Sequence, residues 1–300
     1  MSLKHSLLAL LVVIIWGGNF VVIDVGQEGV PPLLFLALRF TVVCLPAVFF
    51  LKPPGIGWRQ IVVIGAFLSF GQFTLLYLAL ALGMPPGLAS LLLQTQVIFS
   101  LIVAALILRE KPSRRQLVGV GIGMLGLGTV IVGHSQTAPW LPLVVTLASA
   151  LAWSVGNVLA RRAQATSGLS LVVWSGLVVP VPALALSLIV DSPPVVWQAL
   201  TNLSWVAIGS TVYTAVFASL IGYGIWNSLL TRYPTSSVVP FTLLVPVVGI
   251  LAAWLVQAEV PTVTEFAGGV IMLAGLAAAV LQPRRARWAG QTIRSKQKLT

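Results

Sequence analysis

Residues 110–126 read EKPSRRQLVGVGIGMLG, and residues 259–275 read EVPTVTEFAGGVIMLAG. Laid over one another at a shift of 149 residues, with no gap, Glu110, Pro112, Gly119 and Gly126 fall on Glu259, Pro261, Gly268 and Gly275. The same shift carries Tyr77 to Trp226 and Pro85 to Pro234. Near the other end of the unit, Trp16 and Gly18-Asn19 resemble Trp153 and Gly156-Asn157. Half the chain is therefore a copy of the other half, and each copy carries an acidic, proline-containing break followed by an apolar, glycine-spaced run.

Working outward from those runs, the solvent of the chain is lipid. Of its residues 58% are hydrophobic and 8% charged, with a mean hydropathy of +1.03, whereas a water-soluble domain carries about 25% charged residues. Charged, Pro-rich and Gly-rich breaks leave ten apolar segments: 5–25, 32–51, 58–82, 87–108, 115–133, 139–160, 169–190, 203–228, 235–256 and 263–281. Each is long enough at ~1.5 Å per residue to cross the hydrocarbon core. The fold class expected is an all-α membrane protein with ten transmembrane helices. Lys4 and His5 before the first segment suggest a signal peptide, but no small-residue cleavage pattern follows and the Trp16-Gly17-Gly18-Asn19 stretch recurs later, so the segment reads as the first helix of the mature chain.

Basic residues fix an orientation. With the amino terminus in the cytoplasm, ten alternating spans place 16 of the 17 Lys and Arg on the cytoplasmic side, Arg39 inside the second span being the exception. Asp24, Glu28, Asp191, Glu259 and Glu265 fall on the other side and Glu110 on the cytoplasmic one. The formal charge of +11 is thus a topology signal and not a nucleic-acid surface. Both termini are expected in the cytoplasm of a bacterial inner membrane.

An odd number of spans per copy forces the copies into opposite orientations. Residues 1–135 and 139–285 are expected to form two inverted five-helix repeats, followed by a basic cytoplasmic tail, 286–300. Inverted repeats let two packings exchange, turning an inward-open cavity into an outward-open one. They occur also in channels and in proteins that transport nothing.

The five-helix units, the WGGN at 16–19, Arg39 in the second span and the two E-x-P-x6-G-x6-G runs resemble the EamA-type branch of the drug/metabolite transporter (DMT) superfamily, over essentially all ten spans. Within it the chain is most similar to the YddG-like amino-acid exporters. The resemblance implies two EamA-like domains and a secondary transporter exporting amino acids, aromatic ones included, and related small metabolites by alternating access. Export of drugs, nucleosides or sugars on the same fold is the alternative.

Polar side chains inside spans must face a cavity or another helix. Trp16 and Asn19 are three apart, Trp153 and Asn157 four apart, so each pair shares a helix face. They either line a central cavity, aromatic face and amide suiting an amphipathic substrate, or bond helices at the seam of the repeats. Gln72 and Gln94 are further cavity candidates. Gln96, about 200° around the helix from Gln94, is not expected to face the same cavity. Tyr223, Trp226 and Asn227 form a stripe; Trp226 and Asn227, close to the cytoplasmic end, fit an interfacial belt. Tyr223 is kept as a candidate and Tyr213, near mid-span, is the better one. Arg39 either grips a substrate carboxylate or pairs with Asp24, the pairing being the simpler reading. Gly17, Gly18, Pro240 and Pro246 are hinge candidates or places of close helix approach.

No carboxylate lies near the centre of a span, which favours facilitated export, with peripheral proton coupling as the competitor. No catalytic residue, metal site or cofactor is expected. Cys44 is single and within an apolar run, His5 and His134 lie on opposite sides without catalytic company, and the Gly-rich run lacks a phosphate-binding lysine. The expected partners are a small-molecule substrate and the lipid bilayer; a monomer is compatible with the sequence.

Overall fold

The computed structural model describes residues 1–135, 139–233 and 235–280. The expected tail at 286–300, the bases Arg284, Arg285 and Arg287, and Pro234 lie outside the described residues, as does the side chain of His134. The described residues form helices and turns, with no strand among them. Ten apolar helices run back and forth: α1 (Leu3–Gly26), α2 (Pro32–Val48), α3 (Trp58–Ala81), α4 (Pro86–Ile107), α5 (Arg114–Ser135), α6 (Trp140–Ala163), α7 (Gly168–Val190), α8 (Trp205–Arg232), α9 (Val239–Gln257, preceded by the turn Thr235–Val238) and α10 (Val263–Val280). Eight are long and apolar enough to cross a bilayer, and α2 and α10 are shorter apolar helices.

Two local features depart from the ten plain spans of the sequence. Pro180 interrupts α7, which stops at Gly176 and resumes at Pro180, because a proline cannot donate into the preceding turn. A short helix, Pro193–Thr201, joins α7 to α8 where a loop was expected. Its signal is a proline at the first helical position after Ser192, and it buries Val196 and Ala199 while Trp197 stays exposed.

The two glycine runs that open the sequence argument meet each other. A Cβ on Gly119 would lie 2.6 Å from the carbonyl of Gly275, and one on Gly126 would lie 2.6 Å from the carbonyl of Gly268. The first glycine of α5 thus faces the last of α10, and Arg115, at the start of α5, donates from Nε to the Ala278 carbonyl near the end of α10 at 2.9 Å. Equivalent helices of the two repeats therefore run antiparallel, which is inverted topology seen in one contact. Small residues let the backbones approach to van der Waals distance, where packing rather than hydrophobicity holds helices in lipid.

The repeats also exchange their first helices. α1 packs on α8 and α9 of the second repeat, and α6 packs on α3 and α4 of the first. Gly17 sits against Val248 of α9, where a Cβ would lie 2.9 Å from the Val245 carbonyl, and Gly156 sits against Leu68 of α3.

Irregular backbone recurs at the shift of the sequence repeat. Ala66–Gly71 in α3 and Tyr213–Ile221 in α8 are π-helical; Leu93–Thr95 in α4 and Val239–Leu244 in α9 are 3₁₀. Adding 149 to the first member of each pair lands inside the second. π segments leave backbone carbonyls outside the regular ladder, and such sites cluster where a protein does its work.

Cross-contacts sort the helix ends into two faces. On one, the Thr166 N–H donates to the Pro54 carbonyl at 2.9 Å, His5 Nδ1 lies 2.9 Å from Tyr233 Oη, and Arg161 pairs with Glu110. On the other, Gln257 Nε2 donates to Asp24 at 2.6 Å and the Gly87 N–H to Glu259 at 3.1 Å. Every described Lys and Arg except Arg39 belongs to the first face and every Asp and Glu except Glu110 to the second, so we refer to a basic and an acidic face. At the acidic end Gly26 is wedged against Ser210 and Phe35, and Ile23, Phe35, Leu80, Met84 and Leu88 are buried.

Candidate functional site

Between the repeats lies a cavity of about 450 Å³, within the range of roughly 300–1,000 Å³ usual for small-molecule sites. Its wall takes residues from α1, α2, α3, α4, α6, α7, α8 and α9. It reaches the basic-face ends of four of them, through Ala160, Gly168, Leu230 and Val239. Towards the acidic face its wall ends with Leu76, Ser90 and Val245. The cavity thus extends to the helix ends of the basic face and stops short of those of the acidic one.

Among the described residues Arg39 is the only charged side chain in the wall. It is 2% exposed, at mid-helix in α2. Nη1 donates to Tyr77 Oη at 3.0 Å, Nη2 donates to Ser219 Oγ at 3.1 Å, and the guanidinium lies 4.2 Å from the Phe73 ring centroid. The π segment of α8 places Ser219, whose Oγ in turn donates to the Thr214 carbonyl at 2.8 Å. The pairing with Asp24 is not formed. Asp24 is held by Gln257 on the acidic face, whereas Arg39 points between α3 and α8. An arginine supported only by neutral hydroxyls and an aromatic face keeps its charge uncompensated, and its Nε has no hydrogen-bond partner among the described residues.

Trp16 also belongs to the wall. Its Nε1 donates to the Ala218 carbonyl, inside the α8 π segment, at 2.9 Å, and its ring is tilted against Tyr223 at 5.2 Å and Trp226 at 5.3 Å between centroids. Three further buried polar atoms on the wall have no partner among the described residues: Asn19 Oδ1, Gln72 Oε1 and Asn227 Nδ2. A buried unsatisfied polar group costs roughly 1–3 kcal/mol, so four of them around one cavity suit a polar ligand. Both donor and acceptor atoms are on offer, suiting a molecule with both kinds of group.

Of the residues singled out from sequence, Trp16, Asn19, Arg39, Gln72, Gln94, Trp153, Asn157 and Tyr223 lie on the cavity wall. Tyr213 does not. Its hydroxyl donates to the Ile15 carbonyl at 3.0 Å and its ring stacks on Phe217, so it fastens α8 to α1. Its mid-span depth suggested a cavity role, but depth does not fix direction, and the side chain turns onto α1 and Phe217. Gln96 joins Gln94 in the wall; the 3₁₀ turn at Leu93–Thr95 breaks the regular step behind the 200° argument. Trp226 and Asn227 line the cavity instead of forming an interfacial belt, because the cavity extends to their end of α8. Gly17 is a packing contact within an unbroken α1, Gly18 lies beside the Tyr213 hydroxyl, and Pro240 and Pro246 flank the change from 3₁₀ to α in α9.

Phe73, Tyr77 and Ser219 escaped the sequence reading. Tyr77 was visible as the repeat mate of Trp226, but nothing in the sequence said that it faces Arg39. Among the described residues no group of three or more His, Cys, Asp or Glu is placed to hold a metal ion.

These features match known proteins. The EamA-like transporter family model matches residues 3–132 and again 140–281. The "Probable amino-acid metabolite efflux pump" of Salmonella typhimurium is 40% identical over 282 residues, covering 92% of this chain and 94% of that protein; the protein of the same description in Escherichia coli is 39% identical over the same coverage. A "Probable terminal-alkyne amino-acid exporter" of Streptantibioticus cattleyicolor is 25% identical, covering 92% and 93%. A crystal structure superposes with a TM-score of 0.63 over 95% of this chain and 99% of that one, at 21% identity, and shares the fold. Two matches to one family model, each covering a five-helix repeat of an antiparallel pair around a shared cavity, place the chain in the EamA-like transporter family.

Proposed function

We propose that this protein exports amino acids, aromatic ones included, and related small metabolites across the bacterial inner membrane by alternating access, with both termini in the cytoplasm. The observation that carries the reading is Arg39: a buried guanidinium on the cavity wall, braced by Tyr77, Ser219 and Phe73 and facing no carboxylate of its own. A substrate carboxylate supplies the missing anion, and charge-assisted bonds of this kind are the strong ones in a water-poor site. Trp16, Trp153 and Tyr223 offer apolar faces to a side chain, and Asn19, Gln72, Gln94 and Asn157 offer amides to an ammonium or hydroxyl. The relatives' descriptions as amino-acid efflux proteins support the same class.

The basic face is the cytoplasmic one by the distribution of Lys and Arg, so the present cavity is inward-facing, ready to load from the cytoplasm. The two exchanging units are 1–135 and 139–285. Among the described residues no carboxylate lines the cavity, which favours export down a gradient.

Counterflow into proteoliposomes preloaded with unlabelled amino acid, followed with labelled phenylalanine, threonine and methionine, tests the reading. Flux of all three, unchanged by collapsing a proton gradient, is the expected result. Absence of flux for every amino acid sinks the substrate assignment, and a strict requirement for a proton gradient sinks the facilitated one.

A further inference from the structure

The Glu-x-Pro motif occurs once per repeat, yet its two glutamates stand in different circumstances. Glu259 reaches across to the other repeat: its carboxylate accepts from the Gly87 N–H at 3.1 Å, in the first turn of α4. The approach is tight, since a Cβ on Gly87 would lie 3.0 Å from Glu259 Oε1 and 3.3 Å from Ala253 Cβ. The carboxylate satisfies a donor that a helix start leaves over and sits at the positive end of its dipole. Glu110, its mate at the basic face, instead pairs with Arg161 in the open, the two side chains 47% and 60% exposed.

The asymmetry follows the shape of the crossing of α4 and α9. The two helices meet at their 3₁₀ turns, where Gln94 Nε2 donates to the Thr242 carbonyl at 2.8 Å. From there the acidic-face arms pack together, with Ser90 against Gly249. The cavity is lined by Gln96 of α4 and Val239 of α9 on the basic side and reaches past the crossing to Ser90 and Val245. Shifting Gly87 by 149 gives residue 236, in the turn Thr235–Val238 that opens α9.

We infer that Glu259 and Glu110 are reciprocal latches of the transport cycle: Glu259 caps α4 and holds the acidic-face arms shut in this conformation, and in the opposite one Glu110 leaves Arg161, caps the turn Thr235–Val238 ahead of α9 and holds the basic-face arms shut. The inference rests on the alternating-access part of the proposed function and deepens it. Gln94–Thr242 is the pivot. Gly87 is required where the latch is closed here, because a side chain there would lift α4 off α9.

Single cysteines report the two arms in the full chain in membranes, since the native Cys44 is fully buried. Ala253→Cys lies beneath the acidic-face latch and Ala160→Cys on the cavity wall towards the basic face; each is labelled with a membrane-impermeant maleimide from its own side. Loss of a helix cap shifts a balanced equilibrium about fivefold, so Glu259→Gln should raise the labelling of Ala253→Cys about fivefold relative to Ala160→Cys. Gly87→Ala should do the same with the glutamate intact, and stands in if Glu259→Gln fails to fold. Glu110→Gln should move the ratio the other way, and the double variant should return it to within about twofold of the starting value. Arg161→Gln, which removes only an exposed pair of small worth, should leave it unchanged. An unchanged ratio in both Glu259→Gln and Gly87→Ala, or movement in the same direction for both glutamates, overturns the proposal. Labelling needs no substrate, so a failed amino-acid assignment leaves this result standing.

Discussion

Tyr77 holds Arg39 in place: the Tyr77 hydroxyl accepts from Arg39 Nη1 at 3.0 Å at a position where both side chains are almost wholly buried. The bond spans α2 and α3, and with Ser219 from the other repeat it suspends one positive charge across the seam of the molecule. Removing either partner leaves the other as an unsatisfied buried group, and that asymmetry sets the first expectation.

Arg39→Lys should keep the charge and lose the planar fork, and Arg39→Gln should lose both. A charge-assisted bond contributes about 1.5–3 kcal/mol, so counterflow of carboxylate-bearing substrates should fall by about tenfold to a hundredfold in Arg39→Gln. Amine analogues without the carboxylate should be affected far less. An equal loss for both classes, measured side by side, would mean that Arg39 is structural.

Tyr213→Phe separates cavity from scaffold. The hydroxyl bonds the Ile15 carbonyl and lies off the cavity wall, so its loss should lower stability by about 1 kcal/mol, seen as a lower melting temperature in detergent. Relative transport rates across a substrate panel should not move. A change in selectivity would return Tyr213 to the site.

Glycines of α5 differ in what surrounds them. Gly126 faces the backbone of α10, with the Gly268 carbonyl 2.6 Å from where a Cβ would be, while Gly128 meets nothing within 4 Å. Gly126→Val should therefore force the helices apart at a cost of about 1–3 kcal/mol or more and sharply reduce the folded yield. Gly128→Val should be tolerated. Comparable yields of the two, by fluorescence-detected gel filtration, would contradict the packing of α5 on α10.

Glu259, in the link between α9 and α10, gives stability a pH dependence. Burial pushes its carboxyl above the ordinary value of 4.5, an effect that the hydrogen bonds from the Gly87 and Leu88 N–H groups oppose and that the nearby Glu265 and Asp24 charges reinforce. With the folded value raised, the folded chain keeps a proton that the unfolded chain has released. The stabilisation is complete below the ordinary value and is lost as pH rises through the raised one. Melting curves recorded from about pH 4 to about pH 8 should show the wild type losing stability relative to Glu259→Gln with rising pH. Parallel curves would remove this linkage.

The sequence alone determined the solvent, the number of helices, their two faces and the two-copy organisation, since hydropathy, charge asymmetry and a 149-residue self-match are properties of the chain read in order. It also named eight residues of the cavity wall, because a polar side chain in an apolar span has few places to go. The tertiary structure decided which of those side chains meet. Arg39 finds Tyr77 and Ser219 rather than Asp24 because π and 3₁₀ segments, invisible in a periodicity that assumes regular helices, turn α3, α4, α8 and α9 about their axes. That the glycines of Glu110–Gly126 pack on those of Glu259–Gly275, and that only one of the two glutamates caps a helix, depends on how the inverted copies are tilted in one conformation.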